Sequence, residues 1–180
     1  MKARLFFALW PPPPVQTALA RWGERMRQDL GGRLTRTASV HLTLAFLGDV
    51  PEASLPIART IGERQRGSTF TLALARTGCW RHNGIAWAAP LDTPAALTRL
   101  VQGLESDLRA DAFSLESREY RPHITLLRRA ACRGRCWQPD AVLTWMVDRF
   151  VLVRSQRTAR GADYERIGEW PLEPALNAPG

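Results

Sequence analysis

Apolar residues recur along this chain with two different periods. RLFFAL at 4–9 is a short apolar run of the kind a buried strand makes, and Pro11 to Pro14 end it. Val15, Leu19, Trp22 and Met26 then fall three or four apart, which predicts an amphipathic helix over 15–30 stopped by Gly31-Gly32. SVHLTLAFLGDV (39–50) reads as a strand. Residues 52–66 read as a second helix, weakened by Pro56 in its first turn. TFTLALARTGC (69–79) and GIAWAAP (84–90) read as a hairpin across Arg81-His82-Asn83-Gly84. Leu97, Leu100, Val101, Leu104 and Leu108 share one face of a third helix, 94–109. REYRPHITLL (118–127), WMVDRFVLVRS (145–155) and YERIGEWPL (164–172) are further strands. Residues 128–138 form an Arg-Cys-Gly loop, and the C-terminus is a frayed tail.

The order β-α-β-α-ββ-α-β-β-β lacks regular βαβ alternation, so the expected class is α+β with a mainly antiparallel sheet. No linker interrupts it. One domain is expected over 1–174, with 175–180 as tail. A 45% hydrophobic content over 180 residues suffices for a real core. No apolar run approaches the length of a membrane helix. The opening MKARLFFALWPPPP superficially resembles a signal peptide, but its apolar run stops at Trp10 and no small-residue cleavage site follows. A cytoplasmic location is therefore expected.

Charge changes the picture more than size does. The net charge is +8, and Lys2 is the only lysine, so the excess is arginine. Planar guanidinium forks suit phosphate, which makes a polyanionic partner a fitting one. GC-rich codon usage explains the same arginines without any partner. The three cysteines, an odd number, argue against a disulfide framework. Cys79-x-x-His82 with Cys132-x-x-x-Cys136 offers four zinc-type ligands, but the spacing is not that of a structural zinc site. Unpaired loop cysteines are the simpler expectation.

Two of the three histidines sit in matching tetrapeptides, HLTL (41–44) and HITL (123–126). Side chains alternate along a strand. His41 and Thr43 should therefore share one face, with Leu42 and Leu44 on the other. The same holds for His123 and Thr125 against Ile124 and Leu126. Two such strands facing one cleft imply two similar lobes and bring together two imidazoles and two hydroxyls. One neutral and one protonated imidazole form an acid–base pair near neutral pH, and threonine hydroxyls can hold phosphoryl oxygens. Arg128 adds a phosphate-binding fork, but strict alternation turns it away from His123 unless the strand is disturbed near Leu127.

HLTLAFLG (41–48) and RPHITLLR (121–128) resemble the paired signatures of the 2H phosphoesterase superfamily. The chain is most similar to its bacterial RNA 2′,3′-cyclic phosphodiesterase branch, also called 2′-5′ RNA ligases. The resemblance runs nearly end to end, through RLFFAL, FTLAL, Trp87, Phe150, Ser155, Tyr164 and Trp170. It implies two pseudo-symmetric antiparallel lobes with outer helices, a central cleft, no cofactor or metal, and hydrolysis of an RNA-terminal 2′,3′-cyclic phosphate to a 2′-phosphate. By the same resemblance His41 is the proton donor and His123 the proton acceptor, while Thr43, Thr125 and Arg128 hold the phosphate. No obligate protein partner is implied, and the cysteine-bearing stretch 128–138 is not explained by the family pattern.

Two alternatives stand beside that reading. Microscopic reversibility allows the same pair to join RNA ends through a 2′-5′ linkage, and a cleft without turnover would be an RNA-binding module. Trp80, Trp87 and Tyr120 are the candidate rings for stacking on a base, although Trp87 lies in an apolar strand that suits core packing. His82 is expected in a turn. No P-loop, Rossmann glycine pattern, GxSxG elbow or HExxH motif is present.

Overall fold

The computed structural model describes residues 2–133, 136–158 and 161–174. The expected tail at 175–180 lies outside them. Along the chain run β1 (Lys2–Leu9), α1 (Pro13–Leu30), β2 (Arg33–Leu34), β3 (Leu42–Pro51), α2 (Leu55–Arg64), β4 (Phe70–Trp80) and β5 (Ile85–Pro90). They are followed by α3 (Ala95–Ala110), β6 (Ile124–Arg128), β7 (Leu143–Val147), β8 (Arg149–Thr158) and β9 (Gly161–Pro171).

The sequence explains the helix positions. Pro13 and Pro14 occupy the first turn of α1, where a missing N–H costs nothing, so the proline run both ends β1 and begins the helix. Pro56 plays the same part in α2, which removes the objection to that helix. Leu97, Leu100, Val101, Leu104 and Leu108 all lie buried on α3. The glycine stop after α1 has a further purpose. Gly32 has φ +85, and a Cβ there would stand 2.8 Å from the Arg128 carbonyl oxygen. Only glycine lets β2 lie this close to β6.

The strands follow the order β7-β4-β5-β6-β3-β1-β8-β9, with β2 also paired to β6. Their registered pairs are antiparallel, as expected. Two lobes meet where β3 touches β6, through the single registered pair Leu42↔Ile124. Beyond that pair the strands separate, and β2 takes the place beside β6, pairing Arg33↔Arg128 and Leu34↔Leu127. The lobes mirror each other in connectivity: β1–α1 leads to β3, and β5–α3 leads to β6. Each crossover helix packs behind the other lobe's central strand, α1 against β6 and α3 against β3. A single buried cluster then joins α1, α3, β3 and β6 through Leu19, Met26, Leu104, Leu44 and Leu126.

Three expectations change. The segment 145–155 is not one strand. It breaks at Asp148, where the chain leaves its pairing with β4 and joins β1 in the other lobe. Residues 118–123 are not strand, and β6 begins only at Ile124. The cysteines are not all unpaired: Cys79 on β4 is bonded to Cys132, with Cα atoms 5.4 Å apart, and Cys136 is free. Two sulfurs of the zinc tetrad are thus joined to each other, and no metal-type cluster of three or more such ligands occurs among the described residues. The bridge ties the β4–β5 hairpin to the chain just beyond β6, across 53 residues. Closing a loop of that length contributes about 2–4 kcal/mol. Thermal melts with and without dithiothreitol should show a lower midpoint for the reduced protein, and Cys132→Ser should melt like the reduced wild type under both conditions.

Candidate active site

His41 and His123 each stand one residue before their strands, β3 and β6. Each ring is held in the same way. The Nδ1–H of His41 donates to the Ser39 carbonyl at 2.7 Å, and that of His123 to the Arg121 carbonyl at 2.8 Å. A carbonyl can only accept, so it fixes the neutral ring as the Nδ1–H tautomer and leaves Nε2 free for proton transfer. Both imidazoles, with Thr43, Thr125 and Arg128, line one cleft of about 370 Å³. Carrying the Leu42↔Ile124 register one residue each way sets His41 across from Thr125 and Thr43 across from His123. The residues expected to act together are therefore brought together.

Arg128 reaches the cleft because strict alternation fails. On β6, Leu127 pairs with Ala86 and Thr125 with Trp87, so Leu126 is one residue too many. Leu126 and Leu127 both turn into the core, and Arg128 swings out to the side of His123 and Thr125. The same bulge occurs on β3. Ala45 pairs with Phe7 and Thr43 with Ala8, leaving Leu44 extra; Leu44 and Ala45 are both buried. The fifth residue after each histidine is therefore carried into the cleft: Phe46 from one motif and Arg128 from the other.

The two imidazoles have different surroundings. His41 stacks on Phe6 (4.8 Å between centroids) and nearly parallel on Trp10 (5.3 Å, 4°), with the edge of Tyr164 at 5.2 Å. His123 meets Trp80 edge-on at 4.6 Å. Burial among these groups pushes the His41 pKa from 6.5 down to about 4; the Ser39 hydrogen bond opposes this, and the charges of Arg128 and His123 add to it. Burial also lowers His123, against its bond to Arg121, with Arg118 and Arg128 adding to the drop.

The expected stacking rings have other contacts. Trp80 packs on His123, Trp87 has a buried indole N–H, and Tyr120 donates to the Thr43 carbonyl at 3.0 Å. The exposed ring in the cleft is Phe46, 37% accessible, with the Arg4 guanidinium over it at 4.8 Å. His82 lies in the β4–β5 turn, as expected. Sequence reasoning missed Phe46 as well as the aromatic box of Phe6, Trp10 and Tyr164. The five-residue offset shared by Phe46 and Arg128 was the available signal for Phe46. No local signal marks the box, which joins the end of β1 to β9, more than 150 residues apart in the chain.

Paired imidazoles beside hydroxyls and a guanidinium suit acid–base chemistry on a phosphoester. Comparison with known proteins agrees. A family model described as LigT-like phosphoesterase matches residues 9–87. The chain is 32% identical to the RNA 2′,3′-cyclic phosphodiesterase of Thermus thermophilus, over 94% of this chain and 90% of that protein. It is 29% identical to the Escherichia coli protein of the same name, over 94% and 96%. Its fold matches a crystal structure of Escherichia coli LigT complexed with 3′-AMP at TM-score 0.88 and 30% identity, covering 96% of this chain and 99% of that one. This chain belongs to the LigT-like phosphoesterase family, which is a family of enzymes. No helix among the described residues is long and apolar enough to cross a membrane.

The buried His41 has a measurable consequence. Its folded pKa lies below its unfolded one, so the unfolded chain takes up the proton first as pH falls. The resulting stability is fully present above pH 6.5 and is lost as pH drops toward about 4. The loss amounts to roughly 3 kcal/mol. Urea unfolding at neutral and acidic pH should show that much less acid sensitivity in His41→Gln than in wild type.

Proposed function

We infer that this protein hydrolyses the 2′,3′-cyclic phosphate at the end of an RNA, giving a 2′-phosphate and a free 3′-hydroxyl. The observation that carries this reading is the pair of carbonyl-capped imidazoles, each with Nε2 free, one from each lobe, lining a single cleft that also holds Thr43, Thr125 and Arg128. Water attacks phosphorus and gives its proton to His123. The bond from phosphorus to the 3′ oxygen breaks, and that oxygen takes a proton from His41. In-line displacement needs the two groups on opposite sides of phosphorus, and a phosphate seated between the two lobes' histidines meets that need. Thr43, Thr125 and Arg128 hold the phosphoryl oxygens as charge builds. The Phe46 ring offers a stacking face for the terminal base. A cytoplasmic location suits an RNA substrate of this kind.

The low pKa of His41 fits this role once substrate is bound. In the free enzyme the imidazole is neutral at pH 7. A phosphate anion beside it favours the charged form, so the substrate supplies the condition under which His41 becomes an acid. The faces of Phe6 and Trp10 also favour an imidazolium.

The deciding experiment is single-turnover hydrolysis of an oligonucleotide ending in a 2′,3′-cyclic phosphate. His41→Ala and His123→Ala should each slow it by roughly 10²–10⁴-fold, and the double variant should be little slower than either. A phosphatase specific for 3′-phosphates should release nothing from the product. A cleft that only binds RNA would show retention of the oligonucleotide without turnover.

The pH profile follows from the same shifts. The active form carries one proton on the histidine pair, so kcat/KM should be bell-shaped, with limbs belonging to the coupled pair. Both pKa values are lowered in the free enzyme, which moves the bell to the acid side of 6.5. The alkaline limb of kcat should lie at higher pH than that of kcat/KM, because bound phosphate raises the acid's pKa. Coincident limbs would remove the substrate from His41's protonation.

A further inference from the structure

We infer that the cleft carries a second anion subsite, formed by Arg33 and Thr35, which holds the phosphodiester joining the terminal nucleotide to its upstream neighbour. This rests on the cyclic-phosphate reading above and extends it: the substrate class is an oligonucleotide end, not a cyclic mononucleotide.

Four arginines line the cleft: Arg33, Arg36, Arg118 and Arg128. Two of them are already engaged. Arg36 donates to the carbonyl of Ala162 and pairs with Asp163 at 2.6 Å, and Arg118 pairs with Glu116 at 2.6 Å. Among the described residues, Arg33 and Arg128 have no ion pair. These two stand directly opposite each other on β2 and β6, so their side chains leave the sheet on the same face. Gly32, held against the backbone of Arg128 and Ala130, fixes that adjacency.

A second observation points to a ligand at the same place. The Thr35 hydroxyl is shut off from solvent and has no hydrogen-bond partner in the structure, although Thr35 lines the cleft. Its own N–H is already bonded to the Leu126 carbonyl at 2.8 Å, so the residue is firmly placed. Its unmet hydrogen bond is answered when the Thr35 side chain turns out to the cleft, where it joins the unpaired Arg33 guanidinium two residues away as a donor set for phosphate oxygens. The reacting phosphate is served by Arg128 with Thr43 and Thr125. The next anion along a nucleic acid chain is the phosphate on the 5′ side of the same nucleotide, one nucleotide's reach away.

The test uses two dinucleotides, each ending in a 2′,3′-cyclic phosphate. One has an ordinary internal phosphodiester, and the other has an uncharged methylphosphonate there. Wild-type kcat/KM should favour the charged linkage by roughly ten- to hundredfold, the worth of a charge-assisted hydrogen bond. Arg33→Gln should bring the two substrates to near equality. Arg128→Ala should slow both alike, and Arg99→Ala, on the exposed side of α3, should keep the wild-type ratio. Wild type treating both linkages alike, or Arg33→Gln keeping the preference, overturns the subsite. Absence of turnover on both substrates overturns the cyclic-phosphate reading and the subsite with it.

Discussion

The contact between Leu42 and Ile124 is the point on which the site depends. It is the one registered pair between β3 and β6, and it sits at the centre of the two matching tetrapeptides. In an antiparallel pair, a contact at this position sets each histidine across from the other strand's threonine. A slip of one residue would turn every side chain to the opposite face. Both lobes guard against that slip. Leu42 and Ile124 are fully buried, and each crossover helix packs behind the other lobe's strand. Because the strands part immediately beyond the pair, one contact both aligns the chemistry and opens the cleft.

Matching bulges add what a regular strand could not. Without Leu44 and Leu126 as extra residues, the fifth position after each histidine would point into the core, where an arginine has no place. With them, each strand delivers three groups to the cleft. The same architecture then gives different chemistry on its two walls. One wall carries a guanidinium and a histidine edge-on to a tryptophan, and the other carries a phenyl ring and a histidine sandwiched among aromatic rings. Divergence of this kind gives two otherwise equivalent imidazoles different surroundings, with burial lowering the pKa of both and aromatic faces on His41 alone.

Much of this was legible in the sequence because it was periodic. The face of α3 could be read residue by residue, and the repeated His-x-Thr-Leu marked the two central strands. What was lost is what periodicity does not encode. The change of lobe at Asp148 rests on one residue within an otherwise strand-like run. The bulge that carries Arg128 into the cleft was legible only as a condition, a disturbance near Leu127, because it leaves the sequence looking like uninterrupted strand. The pairing of Cys79 with Cys132 depends on the β4–β5 hairpin returning beside the chain after β6. Gly31-Gly32 was readable as a helix stop, but the close approach of Gly32 to Arg128 is a tertiary demand with no local sign. Trp80 and Tyr120 were plausible stacking rings by type and neighbourhood, yet both are occupied in positioning the site.

The basic composition also looks different once the arginines are placed. Arg4, Arg25, Arg27, Arg64, Arg121, Arg149, Arg154 and Arg166 are each paired with a carboxylate, mostly at the surface. Exposed pairs of this sort contribute little to stability and offer little free charge to a partner. The net charge of +8 is therefore a poor guide to where an anion binds. What distinguishes the cleft is a local shortage of carboxylates: Glu116 is the acidic residue that lines it, and Arg118 already holds it. Two guanidiniums are left facing the same space without a counter-ion among the described residues, beside two imidazoles whose pKa values burial lowers. Unpaired positive charge gathered on the walls of one groove attracts phosphate far more specifically than the same charge spread over a surface. The sequence total could not separate the two, because paired and unpaired arginines count alike in it.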